Sequence, residues 1–111
     1  MEIRNVLAQA TVRDQDAAER WYAVLFGREP DARPMDGLLE WHFGDAMGLQ
    51  VWVESDRAGK SSIVITVDDL DSVAEHLKRV GIADTAPAEA TSSRILPVED
   101  PDGNRIVFAG A

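Results

Sequence analysis

The sequence predicts an α+β fold made of two tandem βαβββ modules. Two amphipathic helical stretches each follow an aspartate and end at a glycine, and strand-like runs come after each helix. The same series of elements occurs twice, in the same order and at nearly equal spacing. A repeat this long that occurs only twice indicates two fused modules, about residues 1–56 and 61–111 of one domain.

The first module begins with a predicted strand over residues 3–12, which are small and β-branched apolar residues mixed with polar ones. Asp14 has the position of a helix N-cap. Apolar residues then recur at helical spacing from Ala17 to Phe26, and Gly27 is predicted to end the helix as its C′ residue.

The rest of the first module is predicted to be extended. Residues 28–37 contain Pro30, Pro34 and Gly37, which indicates a loop or an irregular edge strand. Residues 38–43 and 49–53 are strand-like and flank a glycine-bounded connection, so they predict a β-hairpin. The polar residues 54–61 form a linker.

The second module repeats this order. Residues 63–67 (IVITV) predict a strand, Asp68 and Asp69 offer an N-cap, and Gly81 ends the second helix. A proline-containing, alanine-rich segment follows. The last two strands are predicted over residues 94–98 and 105–109, joined by a turn over residues 100–104 (DPDGN).

Composition excludes several classes of protein. The 111 residues carry 20 Asp and Glu against 11 Lys and Arg, and a net charge of −9 repels nucleic acid. The sequence has no cysteine for disulfides or thiolate metal sites and no apolar run of membrane-spanning length. Its first residues do not have the pattern of a signal peptide, so we expect a soluble, cytoplasmic protein without nucleic-acid or membrane partners.

Each module can bury its single helix on only one face of its sheet. The other face stays uncovered unless modules pair. A concave cleft lined by the uncovered faces is therefore the predicted site for a small organic ligand, either aromatic or cationic.

Two motifs resemble the vicinal oxygen chelate superfamily, which includes glyoxalases, extradiol dioxygenases and bleomycin-type antibiotic-binding proteins. Asp14 followed by WYAVLFG at residues 21–27 is similar to the family pattern D…FYxxxLG, and EDPDGNRI at residues 99–106 is similar to the ending DPDGNxIE. ITVDDL at residues 65–70 matches the start of the second module. The resemblance implies a curved mixed sheet with helices on its outer face, and a homodimer.

Metal-dependent members of this superfamily hold their ion through His, Gln or Glu on the first and last strands of each module. The matching positions here are Leu7, Gln50, Ser62 and Val107. Leu and Val have no ligand atom and a single amide does not hold a divalent ion, so no metal and no cofactor are predicted. The two histidines lie elsewhere, with His42 expected to be structural and His76 a solvated helix residue.

The predicted binding residues come from strand alternation. If Gln50 faces the cleft, Trp52 does too, and the hairpin register decides their neighbours. A two- or four-residue connection brings Trp41 and Phe43 beside them, whereas a three-residue connection brings Glu40 and His42. We prefer the former, although either tryptophan alone could instead fill the core. The complete predicted set is Gln9, Trp41, Phe43, Gln50, Trp52, Ser62 and Arg105.

The sequence is compatible with three functions. The missing metal ligands and the tryptophans favour a metal-free binding protein of the antibiotic-binding, resistance type. The alternative is a glyoxalase- or dioxygenase-like lyase, isomerase or oxygenase with unorthodox ligands or none. The third is a regulatory or interaction domain that has lost its site. No catalytic residue can be assigned from the sequence.

Overall fold

The computed structural model describes residues 1–111 and contains eight strands and two α-helices. The first module comprises β1 (Val6–Val12), α1 (Gln15–Phe26), β2 (Ala32–Met35), β3 (Leu38–Gly44) and β4 (Met47–Val53). A 3₁₀ turn at Ser55–Arg57 leads to the second module. That module comprises β5 (Ser62–Thr66), α2 (Leu70–Arg79), β6 (Ala88–Glu89), β7 (Arg94–Glu99) and β8 (Arg105–Gly110).

The strands form two four-stranded mixed sheets of the same topology. Their orders are β1-β4-β3-β2 and β5-β8-β7-β6. In each sheet the first strand of the module runs parallel to its last strand, and the other pairs are antiparallel. The predicted α+β fold of two tandem βαβββ modules is therefore confirmed.

The helix ends follow the sequence closely. The Asp14 carboxylate accepts a hydrogen bond from the Ala17 N–H at 3.0 Å, and Gly27 ends α1 with a φ of 72°. Asp69 caps α2 in the same way, through the N–H of Ser72 at 3.1 Å. These caps satisfy backbone donors that the first turn of a helix leaves unpaired, which is why aspartate located both helix starts.

Both helices pack on one continuous core. Burial alternates along β1 and β4. The side chains of Ala10, Val12, Leu49 and Val51 face α1, while those of Gln9 and Gln50 point to the opposite side of the sheet. Residues of both modules join in a single buried cluster, and the opposite face of each sheet carries no helix. Neither helix is long and apolar enough to cross a membrane.

His76 joins the two helices and is not the solvated residue that the sequence predicts. Its Nε2 lies 2.9 Å from the carbonyl oxygen of Leu25 and 3.1 Å from that of Val24. Helix α1 has no basic residue in its last turn, so its free carbonyls lack a local partner. The imidazole N–H of α2 supplies one across the module boundary, which sequence spacing alone does not reveal.

The DPDGN turn between β7 and β8 fastens the modules together. Asn104 is completely buried; its amide donates to the Thr11 carbonyl at 2.8 Å and accepts from the Ser61 N–H at 2.8 Å. The Tyr22 hydroxyl donates to Asp100 at 2.7 Å. Burial, followed by the negative charge of Asp100, raises the pKa of this hydroxyl far above its usual value, so it remains a donor.

Gly59, in the linker, has a steric reason to be glycine. Its φ is +82°, and a Cβ placed there would lie 2.2 Å from the carbonyl oxygen of Asp102. We expect Gly59→Ala to lower the free energy of unfolding by about 3 kcal/mol, because the strained backbone and the clash add. Urea denaturation followed by circular dichroism measures it.

Gly27→Ala is the matched control. Gly27 also has a positive φ of +72°, but no atom lies within 4 Å of the Cβ position. This variant should lose only about 1 kcal/mol from backbone strain. Equal losses in the two variants would show that the contact with Asp102 does not matter.

Candidate functional site

The face of the first sheet turned away from α1 is the candidate site, and we call it the open face. It is formed by alternate residues of β1, β4 and β3. Parallel pairing places Gln9 beside Gln50, and antiparallel pairing places Gln50 beside Glu40. The side chains of the open face are Leu7, Gln9, Thr11, Leu38, Glu40, His42, Gln50 and Trp52.

A chain of hydrogen bonds crosses the open face from strand to strand. Gln9 Nε2 donates to Gln50 Oε1 at 3.0 Å, and Gln50 Nε2 donates to Glu40 Oε2 at 2.7 Å. The other carboxylate oxygen of Glu40 lies 2.9 Å from His42 Nε2. The bonds from His42 and then Gln50 hold the pKa of the Glu40 carboxyl below its usual value, so the carboxylate stays charged.

Trp52 provides the aromatic surface beside this polar row. It lies opposite Leu38 and is half-buried, and its ring approaches the backbone at Gly37. The indole Nε1 donates to Glu54 Oε1 at 3.0 Å, which fixes the orientation of the ring. An oriented indole next to amide and carboxylate groups can stack on a planar ligand while its neighbours form hydrogen bonds.

The preferred hairpin register is wrong, and Trp41 and Phe43 lie on the helix side of the sheet. Trp41 is 0% exposed and packs on Tyr22 and Phe26 of α1. Phe43 packs edge-on against Phe26 at 5.0 Å. The turn has two residues, but the pairing shifts by one residue between His42 and Gly44. This bulge exchanges the two faces of β3 and brings Glu40 and His42 to the open face.

Ser62 and Arg105 lie on the second sheet, opposite each other on β5 and β8. Their neighbours Ile63 and Ile106 point into the core, so Ser62 and Arg105 face away from it. No hydrogen bond or ion pair joins either side chain to the open face of the first sheet. Of the seven predicted binding residues, the structure brings together Gln9, Gln50 and Trp52.

The donor set does not fit the metal of the superfamily. Gln50 lies on the open face, but its amide already bonds to Gln9 and Glu40. Ser62 is exposed on the second sheet, and Leu7 and Val107 have no ligand atom. No three His, Asp or Glu side chains stand close enough to hold an ion together. We therefore derive no chemistry through a metal.

The Glu40–His42 pair belongs to the hairpin alternative that the sequence did not favour, and its contact was not predicted. A carboxylate and an imidazole two residues apart on a strand always share a face, so the E-x-H spacing was a usable signal. The favoured hairpin register places Trp41 and Phe43 beside Gln50, and it therefore directs Glu40 and His42 to the other face of the sheet.

The geometry defines a class: a two-module βαβββ protein whose uncovered sheet face carries an oriented tryptophan beside a row of polar side chains. The model of the Glyoxalase/Bleomycin resistance protein/Dioxygenase superfamily matches residues 5–108. The chain belongs to this superfamily. A comparison with curated protein sequences finds no match.

Solved structures support the same assignment. A glyoxalase/bleomycin resistance protein from Catenulispora acidiphila DSM 44928 is 28% identical, with a TM-score of 0.88 over 97% of this chain and 98% of that one. TnmS3, an antibiotic binding protein from Streptomyces sp. CB03234, is 26% identical, with a TM-score of 0.81 over 99% and 98%. A bleomycin-binding protein in complex with bleomycin is 23% identical, with a TM-score of 0.80 over 96% and 98%, and shows the fold alone.

Proposed function

We propose that the protein binds a small organic antibiotic on the open face, without a metal ion, and acts by sequestering it. The observation that carries this proposal is the half-buried, hydrogen-bonded Trp52 beside the Gln9–Gln50–Glu40 row. An aromatic surface with a few oriented polar groups is the usual composition of a ligand site. The similarity to TnmS3 supports an antibiotic as the ligand class. The cytoplasmic location is part of this proposal.

Bleomycin is the first probe, because it is the ligand of a protein with this fold. We expect it to quench tryptophan fluorescence and to raise the unfolding temperature. A ligand at 100 times its Kd adds about 2.7 kcal/mol to the free energy of unfolding. The same thermal-shift series with zinc, nickel, manganese and iron tests the enzyme alternative, and stabilisation by a metal alone would favour it.

Trp52→Ala tests the location of the site. We expect it to weaken bleomycin binding at least tenfold, because the stacking surface of the open face is lost. Phe43→Ala is the matched control: it removes a 39% exposed aromatic side chain from the other side of the sheet, and binding should not change. Calorimetric titration of both variants gives the comparison. Loss of binding in Phe43→Ala alone would move the site to the helix side.

We further propose a homodimer, as the family resemblance implies. Both sheets leave one face without a helix, and the second of these faces exposes Val64 by 66%. A second copy would cover such surfaces and deepen the cleft. A monomeric mass in light scattering at micromolar concentration would contradict this part of the proposal.

A further inference from the structure

The Glu40–His42 pair keeps a hydrogen-bonding group that the contacts within the open face leave unpaired. Both side chains come from β3 and lie on the open face, opposite Gln50 and Gly48. The Glu40 side chain is only 14% exposed, whereas that of His42 is 46% exposed. The carboxylate is thus enclosed by the protein and the imidazole is presented to solvent.

The hydrogen bonds determine which ring nitrogen carries the proton. An ionised carboxylate only accepts hydrogen bonds, so the 2.9 Å contact requires a hydrogen on His42 Nε2. In the neutral ring Nδ1 is then an acceptor, and no protein group donates to it. The second oxygen of Glu40 is already bound by Gln50. An oriented acceptor therefore remains free on the open face.

The surroundings of this acceptor are negative and partly apolar. His42 borders a depression of about 580 Å³, which is lined by Asn5, Leu7, Glu40, His42, Gly44, Asp45 and Met47. Asp45 adds a second carboxylate. Arg28 is bound to Asp31 and to the His42 carbonyl, and no Lys or Arg forms an ion pair with Glu40 or Asp45. A neutral acceptor held by one carboxylate, in a depression that a second carboxylate also lines, favours a positively charged donor.

We infer that His42, oriented by Glu40, recognises an organic ammonium group on the ligand, with its N–H donating to His42 Nδ1. This inference rests on the proposed function in that it names a chemical feature of the same ligand. It places the ammonium in the depression beside Leu7 and Met47. The rest of the ligand then extends along the open face towards Trp52.

The first test needs no ligand. Long-range ¹H–¹⁵N spectra distinguish the two histidine tautomers, and the chain has only two histidines. We expect the neutral ring of His42 in the Nε2–H form, and a mixture of the two tautomers in Glu40→Ala. His76→Gln removes the other set of signals and serves as the assignment control. An Nδ1–H tautomer for His42 in the unmodified protein would overturn the inference.

The second test uses benzylamine, with benzyl alcohol as its uncharged match. Benzylamine should shift the His42 Nδ1 resonance with a Kd at least tenfold lower than that of benzyl alcohol. This difference in Kd between the two compounds should disappear in Glu40→Ala. Equal effects of the two compounds would overturn the inference. Binding of bleomycin without this preference for benzylamine would contradict the inference alone. Preferred binding of benzylamine at His42 without any binding of bleomycin would contradict bleomycin as the ligand and support the inference.

Discussion

Trp41→Ala should lower the free energy of unfolding by about 4 kcal/mol, since it deletes a completely buried indole. The ring packs on Tyr22 and Phe26 with centroids about 6 Å apart, and its Nε1 donates to the Arg28 carbonyl at 3.0 Å. The variant therefore leaves both a cavity and an unpaired carbonyl. Urea denaturation followed by tryptophan fluorescence and circular dichroism gives the difference.

Trp52→Ala is the control for this loss. Its indole is half-buried on the open face and contributes nothing to the core cluster, so we expect a change of about 1 kcal/mol. The two tryptophans thus have different roles. Trp41→Ala should lower stability, whereas Trp52→Ala should weaken ligand binding. A larger loss in Trp52→Ala would mean that the register of β3 and β4 is not the one described.

Asp100→Ala should cost about 3 kcal/mol. The buried carboxylate accepts from the Tyr22 hydroxyl, from the N–H groups of Asp102 and Asn104, and from the Asn104 amide. Removing it leaves several buried donors without a partner, and each such donor costs about 1–3 kcal/mol unless water reaches it. Because Asn104 also holds Thr11 and Ser61, the loss should weaken the contact between the modules.

Glu99→Ala provides the comparison at the neighbouring position. Glu99 is exposed and makes no side-chain hydrogen bond, so the change should stay within about 0.5 kcal/mol. Tyr22→Phe in the Asp100→Ala background should cost less than Tyr22→Phe alone, because the shared hydrogen bond is already gone. Additive effects would show that the Tyr22–Asp100 contact contributes no stability.

Local chemistry explains why most of the fold could be predicted. Asp14, Gly27 and Asp69 act on backbone groups within a few residues, so their effect is visible in a single sequence. The β3–β4 hairpin and the turn between β7 and β8 also followed, because each connection is short and rich in glycine and aspartate. The first strand is shorter than predicted and begins at Val6.

The candidate site was harder to predict because it depends on which of the two alternating sets of β3 side chains lies on the open face. One extra residue near Phe43 changes which face of β3 meets Gln50, and no glycine or proline pattern distinguishes a bulge from a plain turn at this hairpin. The prediction for β1 and β4 was correct, because Gln9 and Gln50 pair in a register that does not depend on the hairpin turn. The prediction for Trp41 and Phe43 on β3 was wrong.

Residue type and short spacing were enough to predict the two modules, both helix caps, the DPDGN turn and the lack of the usual ligand residues at the metal positions of the superfamily. The three-dimensional packing was needed to show that Trp41 lies in the core and Trp52 on the open face. The packing was also needed to show that Asn104 joins the modules, that His76 caps a helix of the other module, and that Glu40 orients His42. These outcomes depend on one bulge and on contacts between residues distant in the chain, where packing and hydrogen-bond satisfaction act.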